Sequence, residues 1–284
     1  MRAHGARFTV TAPGGPFECR PRGRLRLTGE QVLVGDEVRV RVIAPGEAAI
    51  EGILPRKTRL ERPPVANADQ AVLITTAREP ESSLLTLDRL LVQAIYQGLA
   101  ALICLNKVDR LAPAEADDYL TPYRRADFRT VATSAMTGQG IPELRQELEG
   151  VTSVLAGESG VGKSSLLNAL LPGLALRTGN LGARGRGRHT TRHLELLEVS
   201  ERGLVADTPG LSLVSLPAMP PGRLAAYWPE LADLAPDCRF RTCVHRQEPG
   251  CRVRAARGSG ELDQGRYERY LSLLREVELA DRRY

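Results

Sequence analysis

Short apolar runs separated by turn residues fill the N-terminal quarter of the chain. Glycine and proline break the pattern between the runs, which cover residues 6–11, 23–27, 38–43 and 49–54. Short strands divided by such turns are typical of a small β-barrel. We therefore predict an OB-fold barrel over residues 1–62, with an SH3-like barrel as the structural alternative.

The pattern changes after residues 56–67, where Pro63 and Pro64 predict a linker, since proline fits neither a helix interior nor a central strand. Apolar strands then alternate with amphipathic helices. The predicted strands are 71–77, 100–105, 128–135, 151–156, 193–199 and 203–206, and the predicted helices are 84–97, 113–123, 142–148 and 165–171. This alternation predicts a multidomain α/β protein whose central α/β domain spans residues 63–216.

Residues 217–284 predict a third, helical domain. Within residues 262–281, one side carries apolar and aromatic residues at helical spacing, namely Tyr267, Tyr270, Leu271, Leu274 and Val277. We expect this helix to pack on a metal-binding knuckle that precedes it.

Residues 157–164 read G-E-S-G-V-G-K-S and fit the phosphate-binding pattern G-x-x-x-x-G-K-[ST]. They stand between a predicted strand and a predicted helix, which is the context that a P-loop requires. We expect Lys163 to reach the β- and γ-phosphates and Ser164 to bind Mg²⁺. An ordinary glycine-rich turn is the alternative. The expected nucleotide contacts here are Gly157, Glu158, Ser159, Gly160, Val161, Gly162, Lys163, Ser164 and Ser165.

A second nucleotide signal, N-K-V-D, follows the strand predicted at residues 100–105. The carboxylate of Asp109 can accept from both N1–H and the exocyclic amine of guanine, a pair that adenine does not present. Lys107 can lie across the base, and Asn106 can tie this loop to the P-loop. Ser134 and Ala135 follow a later strand and match a loop whose backbone N–H reads guanine O6.

Residues 177–193 are rich in glycine and arginine, so we expect them to be mobile without a ligand. Thr190 or Thr191 is positioned to be the switch threonine that completes the Mg²⁺ shell, and we favour Thr190. The later D-T-P-G places Asp207 to hold Mg²⁺ through water and the Gly210 N–H to meet the γ-phosphate. A plain turn is the alternative for D-T-P-G.

Leu211 stands directly after D-T-P-G, where Ras-like enzymes position the attacking water with a glutamine. Intrinsic hydrolysis should therefore be slow. Either His189 or an element of an RNA partner must orient the water. Because N-K-V-D and the Ser134 loop precede the P-loop, the domain is predicted to be a circular permutant.

Four potential zinc ligands are spaced C-x₄-C-x-H-x₅-C, at Cys238, Cys243, His245 and Cys251. Three thiolates and one imidazole are the ligand set of a closed structural zinc site. Coincidental cysteines in a helical domain are the alternative.

Composition narrows the class of partner. The formal charge is +5, and residues 1–66 hold 12 Arg or Lys against 7 Asp or Glu, which favours a nucleic-acid partner over a general arginine bias. Only three of the 39 basic residues are lysine, and two of them, Lys107 and Lys163, fall in nucleotide motifs. No apolar run of membrane-spanning length or signal-peptide core is present, so we expect a cytosolic protein without disulfides.

These segments together resemble the circularly permuted ribosome small-subunit-dependent GTPase A family (RsgA, YjeQ/YloQ) over nearly the whole chain. The resemblance implies an OB-fold, a GTPase domain and a zinc domain, binding GTP or GDP, Mg²⁺ and one structural Zn²⁺. It also implies GTP hydrolysis stimulated by the small (30S) ribosomal subunit during its late maturation, with both end domains on rRNA. We expect a monomer with no membrane partner. Arg192 departs from the family, which commonly has a third threonine there.

Two rival classes remain open from the sequence. One is a nucleotide-independent RNA-binding assembly scaffold, against which the intact Lys163, Ser164, Asp109 and Asp207 argue. The other is a permuted GTPase that acts on another RNA particle.

Overall fold

The computed structural model describes residues 2–4, 7–12, 15–22, 25, 30–61, 63–173, 195–211 and 216–281. Eleven strands lie within these ranges: β1 Arg2–His4, β2 Arg7–Ala12, β3 Gly15–Pro21, β4 Val38–Ala44, β5 Glu47–Ile53, β6 Gln70–Thr75, β7 Ala100–Asn106, β8 Arg129–Thr133, β9 Thr152–Ala156, β10 Glu195–Glu198 and β11 Leu204–Leu211. They form one sheet in the order β4-β5-β3-β2-β1-β10-β11-β9-β6-β7-β8.

Seven α-helices lie in the same ranges: α1 Leu84–Tyr96, α2 Pro113–Arg125, α3 Ile141–Glu147, α4 Lys163–Leu170, α5 Pro229–Leu234, α6 Arg252–Ser259 and α7 Gln264–Asp281. Short 3₁₀ helices add Val108–Arg110, Pro221–Tyr227 and Ala235–Asp237.

The N-terminal strands combine an antiparallel meander with a parallel pair. Strands β1, β2 and β3 are antiparallel neighbours, β3 runs parallel to β5, and β4 and β5 are antiparallel. This is the strand connection of the predicted OB-fold barrel. One apolar cluster fills its interior, made of Phe8, Val10, Cys19, Leu25, Val32, Ala48 and Ile50.

The prediction of a strand at residues 23–27 was wrong at Leu25, which is helical. The Leu25 N–H donates to the carbonyl of Arg22 at 3.0 Å, a bond that spans only three residues and closes a turn. A strand lies earlier, at Gly15–Pro21, and begins within the glycine and proline residues that were predicted to separate the first two runs.

The central part of the sheet is parallel and covered on both faces. Strands β9, β6, β7 and β8 run parallel to one another, and β11 runs parallel to β9. Helices α1 and α2 contribute to the apolar cluster on one face, and α3 and α4 to the cluster on the other. Because the strands are parallel, their carboxyl ends meet at one edge, where the loops of the candidate site lie.

The predicted linker packs closely on its neighbours. The guanidinium of Arg56 donates to the buried carboxylate of Asp36, with Nε 2.7 Å from Oδ1 and Nη2 2.8 Å from Oδ2. Leu60 and Val65 are buried in the apolar cluster that also contains residues of α1 and α2. The barrel strands and the central sheet are also joined directly, through the pairing of β1 with β10.

The C-terminal helices surround an aromatic core. Trp228, Leu231, Tyr270 and Leu274 are fully buried, and the predicted apolar positions of the last helix face this core. The helix begins at Gln264, since the carboxylate of Asp263 accepts the Arg266 N–H at 2.7 Å. In the described part of the chain, no helix combines the length and apolarity that crossing a bilayer requires.

Candidate nucleotide site and metal centre

Two glycines of the P-loop stand where no side chain fits. Gly157 has φ +150°, and a Cβ there would lie 2.2 Å from the carbonyl oxygen of Ile74 on β6. Gly162 has φ +98°, and its Cβ would lie 2.4 Å from Nδ2 of Asn106. The loop therefore depends on these glycines to approach β6 and the N-K-V-D segment closely.

The ammonium of Lys163 folds back over this loop. Nζ donates to the carbonyl oxygens of Gly157 at 2.9 Å and Glu158 at 2.8 Å. Burial lowers the pKa of Lys163, and the charge of Glu158 offsets part of that shift. The loop carbonyls thus hold a partly dehydrated positive charge at the N-terminus of α4, an arrangement that suits a phosphate ligand.

Asn106 connects three loops. Its Nδ2 donates to the carbonyl of Val161 in the P-loop at 2.8 Å. Its Oδ1 accepts from the Thr133 hydroxyl at 3.2 Å and from the Ala135 N–H at 3.4 Å. Asn106 is itself buried. The contact expected between Asn106 and the P-loop is present, and the same amide also holds the loop of Ser134 and Ala135.

Residues 76–83, which the sequence reasoning did not single out, cover the N-K-V-D turn. Lys107 has a left-handed backbone and donates from Nζ to the carbonyl of Glu79 at 2.7 Å, while Arg110 pairs with the Glu79 carboxylate at 2.6 Å. Burial lowers the pKa of Lys107 and Arg110 lowers it further, whereas Glu79 and Asp109 act in the opposite direction. Asp109 is exposed in the turn Val108–Arg110.

The same segment contacts the P-loop through Glu158. The carboxylate of Glu158 accepts the N–H of Ser83 at 2.9 Å, and Ser83 caps the N-terminus of α1. Their position in the sequence could have indicated that residues 76–83 belong to the site. They follow β6 at the carboxyl edge of the sheet, where the P-loop and N-K-V-D also lie.

The loop after β8 is a closed turn. The Ser134 N–H donates to the carbonyl of Gln139 at 2.9 Å, and the Ser134 hydroxyl accepts the Thr137 N–H at 3.2 Å. Gly140 has φ +70°, and a Cβ there would lie 1.9 Å from the carbonyl oxygen of Ala132. This turn fixes Ala135 beside Asn106.

Part of the expected site is described incompletely. His189, Thr190 and Thr191 lie outside the described residues. The backbone of Asp207 and Gly210 lies in β11, which extends to Leu211, well beyond the predicted end at residue 206. Leu211 pairs with Ala156, the residue before the P-loop, so the D-T-P-G backbone runs beside the phosphate-binding loop.

Three cysteines and one histidine converge in the C-terminal part. The ligand atoms of Cys238, Cys243, His245 and Cys251 all lie within 4.8 Å of one another. His245 Nδ1 lies 3.6 Å from Sγ of both Cys238 and Cys251, and these two sulfurs are 3.9 Å apart. Tetrahedral Zn²⁺, with Zn–S near 2.3 Å and Zn–N near 2.0 Å, requires S···S of about 3.8 Å and S···N of about 3.5 Å. The residues therefore fit zinc.

Further hydrogen bonds hold the backbone around these four residues. The Glu248 carboxylate accepts the N–H groups of Val244 and Arg246, each at 2.8 Å. Burial alone would raise the pKa of Glu248, but the backbone N–H groups outweigh it and the pKa is lowered. The Tyr267 hydroxyl donates to the carbonyl of His245 at 2.7 Å, which ties a candidate ligand to α7.

The sheet and loops define a class of protein before any comparison. The parallel central part of the sheet carries a P-loop, with N-K-V-D and D-T-P-G segments beside it, and N-K-V-D comes first in the chain. This is a circularly permuted P-loop GTPase fold.

Comparisons with known proteins identify the family. The family model described as the RsgA GTPase matches residues 53–217, and that of the RsgA N-terminal domain matches residues 1–50. The chain belongs to the RsgA GTPase family, and the predicted fold class is confirmed.

Curated relatives and solved structures match this chain over almost its full length. The small ribosomal subunit biogenesis GTPase RsgA of Moorella thermoacetica is 46% identical over 100% of this chain and 98% of its own, and that of Halalkalibacterium halodurans is 41% identical over 100% and 97%. The crystal structure of YjeQ from Thermotoga maritima has a TM-score of 0.83 at 36% identity, covering 96% of this chain and 95% of its own. YloQ, described as a circularly permuted GTPase, has a TM-score of 0.82 at 33% identity, covering 97% and 92%.

Proposed function

We propose that this GTPase binds the small ribosomal subunit and hydrolyses GTP during late maturation of that subunit. The observation that carries the proposal is the hydrogen bond from Asn106 to Val161, because it joins the guanine-reading and phosphate-binding loops into one site. The relatives named as small ribosomal subunit biogenesis GTPases supply the partner.

Guanine recognition would use one carboxylate, one backbone N–H and the stem of one lysine. Asp109 would accept from N1–H and the exocyclic amine, and the N–H of Ala135 would reach O6 in place of its long 3.4 Å bond to Asn106. The stem of Lys107, whose ammonium is held by the Glu79 carbonyl, would cover the base. Adenine presents the opposite pattern of donors and acceptors, so the site would reject it.

Phosphate binding would use residues 157–165. The loop has no room for side chains at Gly157 and Gly162, and its backbone N–H groups would donate to the phosphate oxygens. Phosphate oxygens would compete with the two loop carbonyls for the ammonium of Lys163. Ser164, Thr190 and, through water, Asp207 would hold Mg²⁺, which neutralises charge that develops on the phosphates. The Gly210 N–H would meet the γ-phosphate.

Hydrolysis would need help from outside the pocket. Leu211 cannot hydrogen-bond a water molecule, so a second group must orient the attacking one. We assign this role to His189 or to an RNA element of the subunit. Bound GTP would order residues 177–193, the ordered segment would fit the subunit, and conversion to GDP would loosen the contact.

The end domains would contact rRNA. We propose the domain bounds 1–62, 63–216 and 217–284, and a monomer that works in the cytoplasm, where its partner matures. The N-terminal domain has the basic excess that a phosphate backbone attracts. Cys238, Cys243, His245 and Cys251 would hold one structural Zn²⁺, which crosslinks a domain that has little regular structure around those residues.

Single-turnover hydrolysis tests the proposal. The rate should rise at least about tenfold when purified small subunits are added, and large subunits should have no such effect. The chain should sediment with small subunits in a non-hydrolysable GTP analogue and be released in GDP. Equal rates with and without small subunits would contradict the activation step, and activation by large subunits alone would favour another RNA particle. A His189→Ala variant that keeps the stimulated rate would remove His189 from the mechanism.

A further inference from the structure

An exposed aromatic ring lies in the turn between the first two cysteines of the zinc cluster. The side chain of Phe240 is 42% exposed. The guanidinium carbon of Arg239 lies 5.3 Å from the centre of its ring. Arg241, the next residue, is also exposed. A planar apolar surface is thus combined with positive charge on both sides of it in the sequence.

The backbone of this turn is fixed. The Cys243 N–H donates to the carbonyl of Phe240 at 3.2 Å, and the Arg239 N–H donates to the carbonyl of Gly250 at 3.1 Å. Cys238 and Cys243, which bracket the turn, both belong to the four-residue cluster. A ring presented by such a backbone loses little conformational entropy when a second surface binds to it.

The surrounding sequence is strongly basic. Residues 238–257 contain six arginines and a single acidic residue, Glu248, whose carboxylate is bound to backbone N–H groups. Arg246 and Arg252 form ion pairs with Glu278 and Glu261. In the described ranges, no carboxylate forms an ion pair with the other four, which are Arg239, Arg241, Arg254 and Arg257.

We propose that the turn at residues 239–242 binds single-stranded RNA, with one unpaired base stacked on Phe240. Arg241 and the other arginines without an ion pair would hold the adjacent phosphates. The face of any base can stack on an aromatic ring, and arginine contributes through both charge and stacking. In a duplex the base faces are already stacked on each other, so the site selects unpaired nucleotides. The proposal rests on the proposed function insofar as rRNA is the natural source of such a strand.

Fluorescence anisotropy of the full chain tests this, with a labelled, unstructured RNA of about 10 nucleotides as the probe. The Phe240→Ala variant should bind the RNA roughly 5- to 150-fold more weakly, the range expected for loss of one stacked base. Phe240→Trp should bind within about twofold of the parent chain, since its ring still stacks. Duplex RNA of the same length should bind both variants equally.

The salt dependence of RNA binding distinguishes the contribution of the Phe240 ring from that of the arginine charges. Arg241→Ala should reduce the slope of log K against log salt by about 0.7, the change for one phosphate contact on a single strand. Phe240→Ala should weaken binding at every salt concentration and leave that slope unchanged. A change of slope on removing the ring would contradict stacking, and so would duplex binding that falls as far as single-strand binding.

Tyr96 provides a matched control, because it is an aromatic residue that is 44% exposed but lies outside the basic segment. Tyr96→Ala should leave the RNA affinity unchanged. Zinc content and basal GTP hydrolysis of Phe240→Ala should equal those of the parent chain, because the ring lies outside both sites. Unchanged affinity in Phe240→Ala, or no detectable RNA binding by the parent chain, would overturn the proposal.

A photocrosslink locates the contact directly. RNA that contains 5-bromouracil should crosslink to the peptide that carries Phe240, and a crosslink confined to the N-terminal barrel would contradict the proposal. Failure of the proposed function has a different signature, since small subunits would then leave GTP hydrolysis unstimulated while the dependence of RNA binding on Phe240 persists.

Discussion

The buried carboxylate of Asp88, in the second turn of α1, accepts hydrogen bonds from the guanidinium of Arg266 on α7, 178 residues later in the chain. Arg269 donates to the same carboxylate. The Arg266 guanidinium also binds Glu230 at 2.7 Å and lies 4.7 Å from the ring centre of Trp228. Helix α7 is therefore attached to α1, a helix that packs on the central sheet, by a desolvated charge network.

Replacing Asp88 by alanine should destabilise the chain by about 3–5 kcal/mol, because it leaves the buried guanidinium of Arg266 incompletely paired. Urea unfolding measures this. Glu276→Ala is the control, since the Glu276 side chain that pairs with Arg89 is 43% exposed and the pair should contribute less than about 1 kcal/mol. An equal loss of unfolding free energy in both variants would contradict the larger contribution expected of the buried network.

Replacing Glu158 by glutamine should strengthen GTP binding by about fivefold, the effect of removing roughly 1 kcal/mol of charge repulsion near the phosphates. The amide oxygen of glutamine can still accept the Ser83 N–H, so the connection to α1 is kept. Titration with a fluorescent GTP analogue measures the change, which should shrink at high salt. Glu158→Ala, which also loses the acceptor, serves as the comparison, and weaker binding by Glu158→Gln would contradict the expectation.

Replacing Lys163 by methionine should abolish GTP binding and raise the Tm of the nucleotide-free chain. Burial lowers the pKa of Lys163, so the unfolded chain retains this proton to higher pH and the charged side chain opposes folding at neutral pH. This penalty disappears as pH rises from the folded pKa through the ordinary value of 10.5, and the Tm difference should shrink over that window. Lys57→Met, at an exposed position, is the control, and a lower Tm for Lys163→Met would contradict the argument.

Replacing Tyr267 by phenylalanine should weaken zinc binding by about tenfold, since the hydroxyl that holds the backbone of His245 is lost while the ring remains. Transfer of zinc to a chromophoric chelator measures this. Tyr270→Phe removes a longer bond, 3.0 Å to the carbonyl of Val244, and should have a smaller effect. Identical transfer in all three chains would show that α7 does not support the cluster.

The sequence predicted the elements that depend on local pattern. Strands and helices of the central sheet, the zinc spacing and the order of the nucleotide motifs follow from residues close together in the chain. Asp88 interrupts an apolar helix face, and no local rule indicates that its partner lies on α7. The position of Glu79 over Lys107 likewise depends on how two loops fold across one sheet edge.

The N-terminal barrel was the least predictable part. Its strand Gly15–Pro21 begins in a glycine-proline segment and alternates buried Cys19 with exposed charged residues, whereas Leu25, in the leucine-arginine alternation that follows, is helical. Periodicity over five residues cannot separate these cases, because the register is decided by pairing with β5 and β2.

Calorimetric titration of the chain and of its Asp109→Asn variant with GDP, ADP and xanthosine diphosphate tests the proposed guanine site most directly. The parent chain should bind GDP at least about 100-fold more tightly than ADP, because adenine offers neither donor to the Asp109 carboxylate and would leave its acceptors unpaired. The variant should prefer xanthosine diphosphate, since an asparagine amide offers one acceptor to N1–H and one donor to the added carbonyl. A parent chain that binds GDP and ADP equally, or a variant that keeps the parent preference, would contradict the assignment of Asp109 and the single site joined by Asn106.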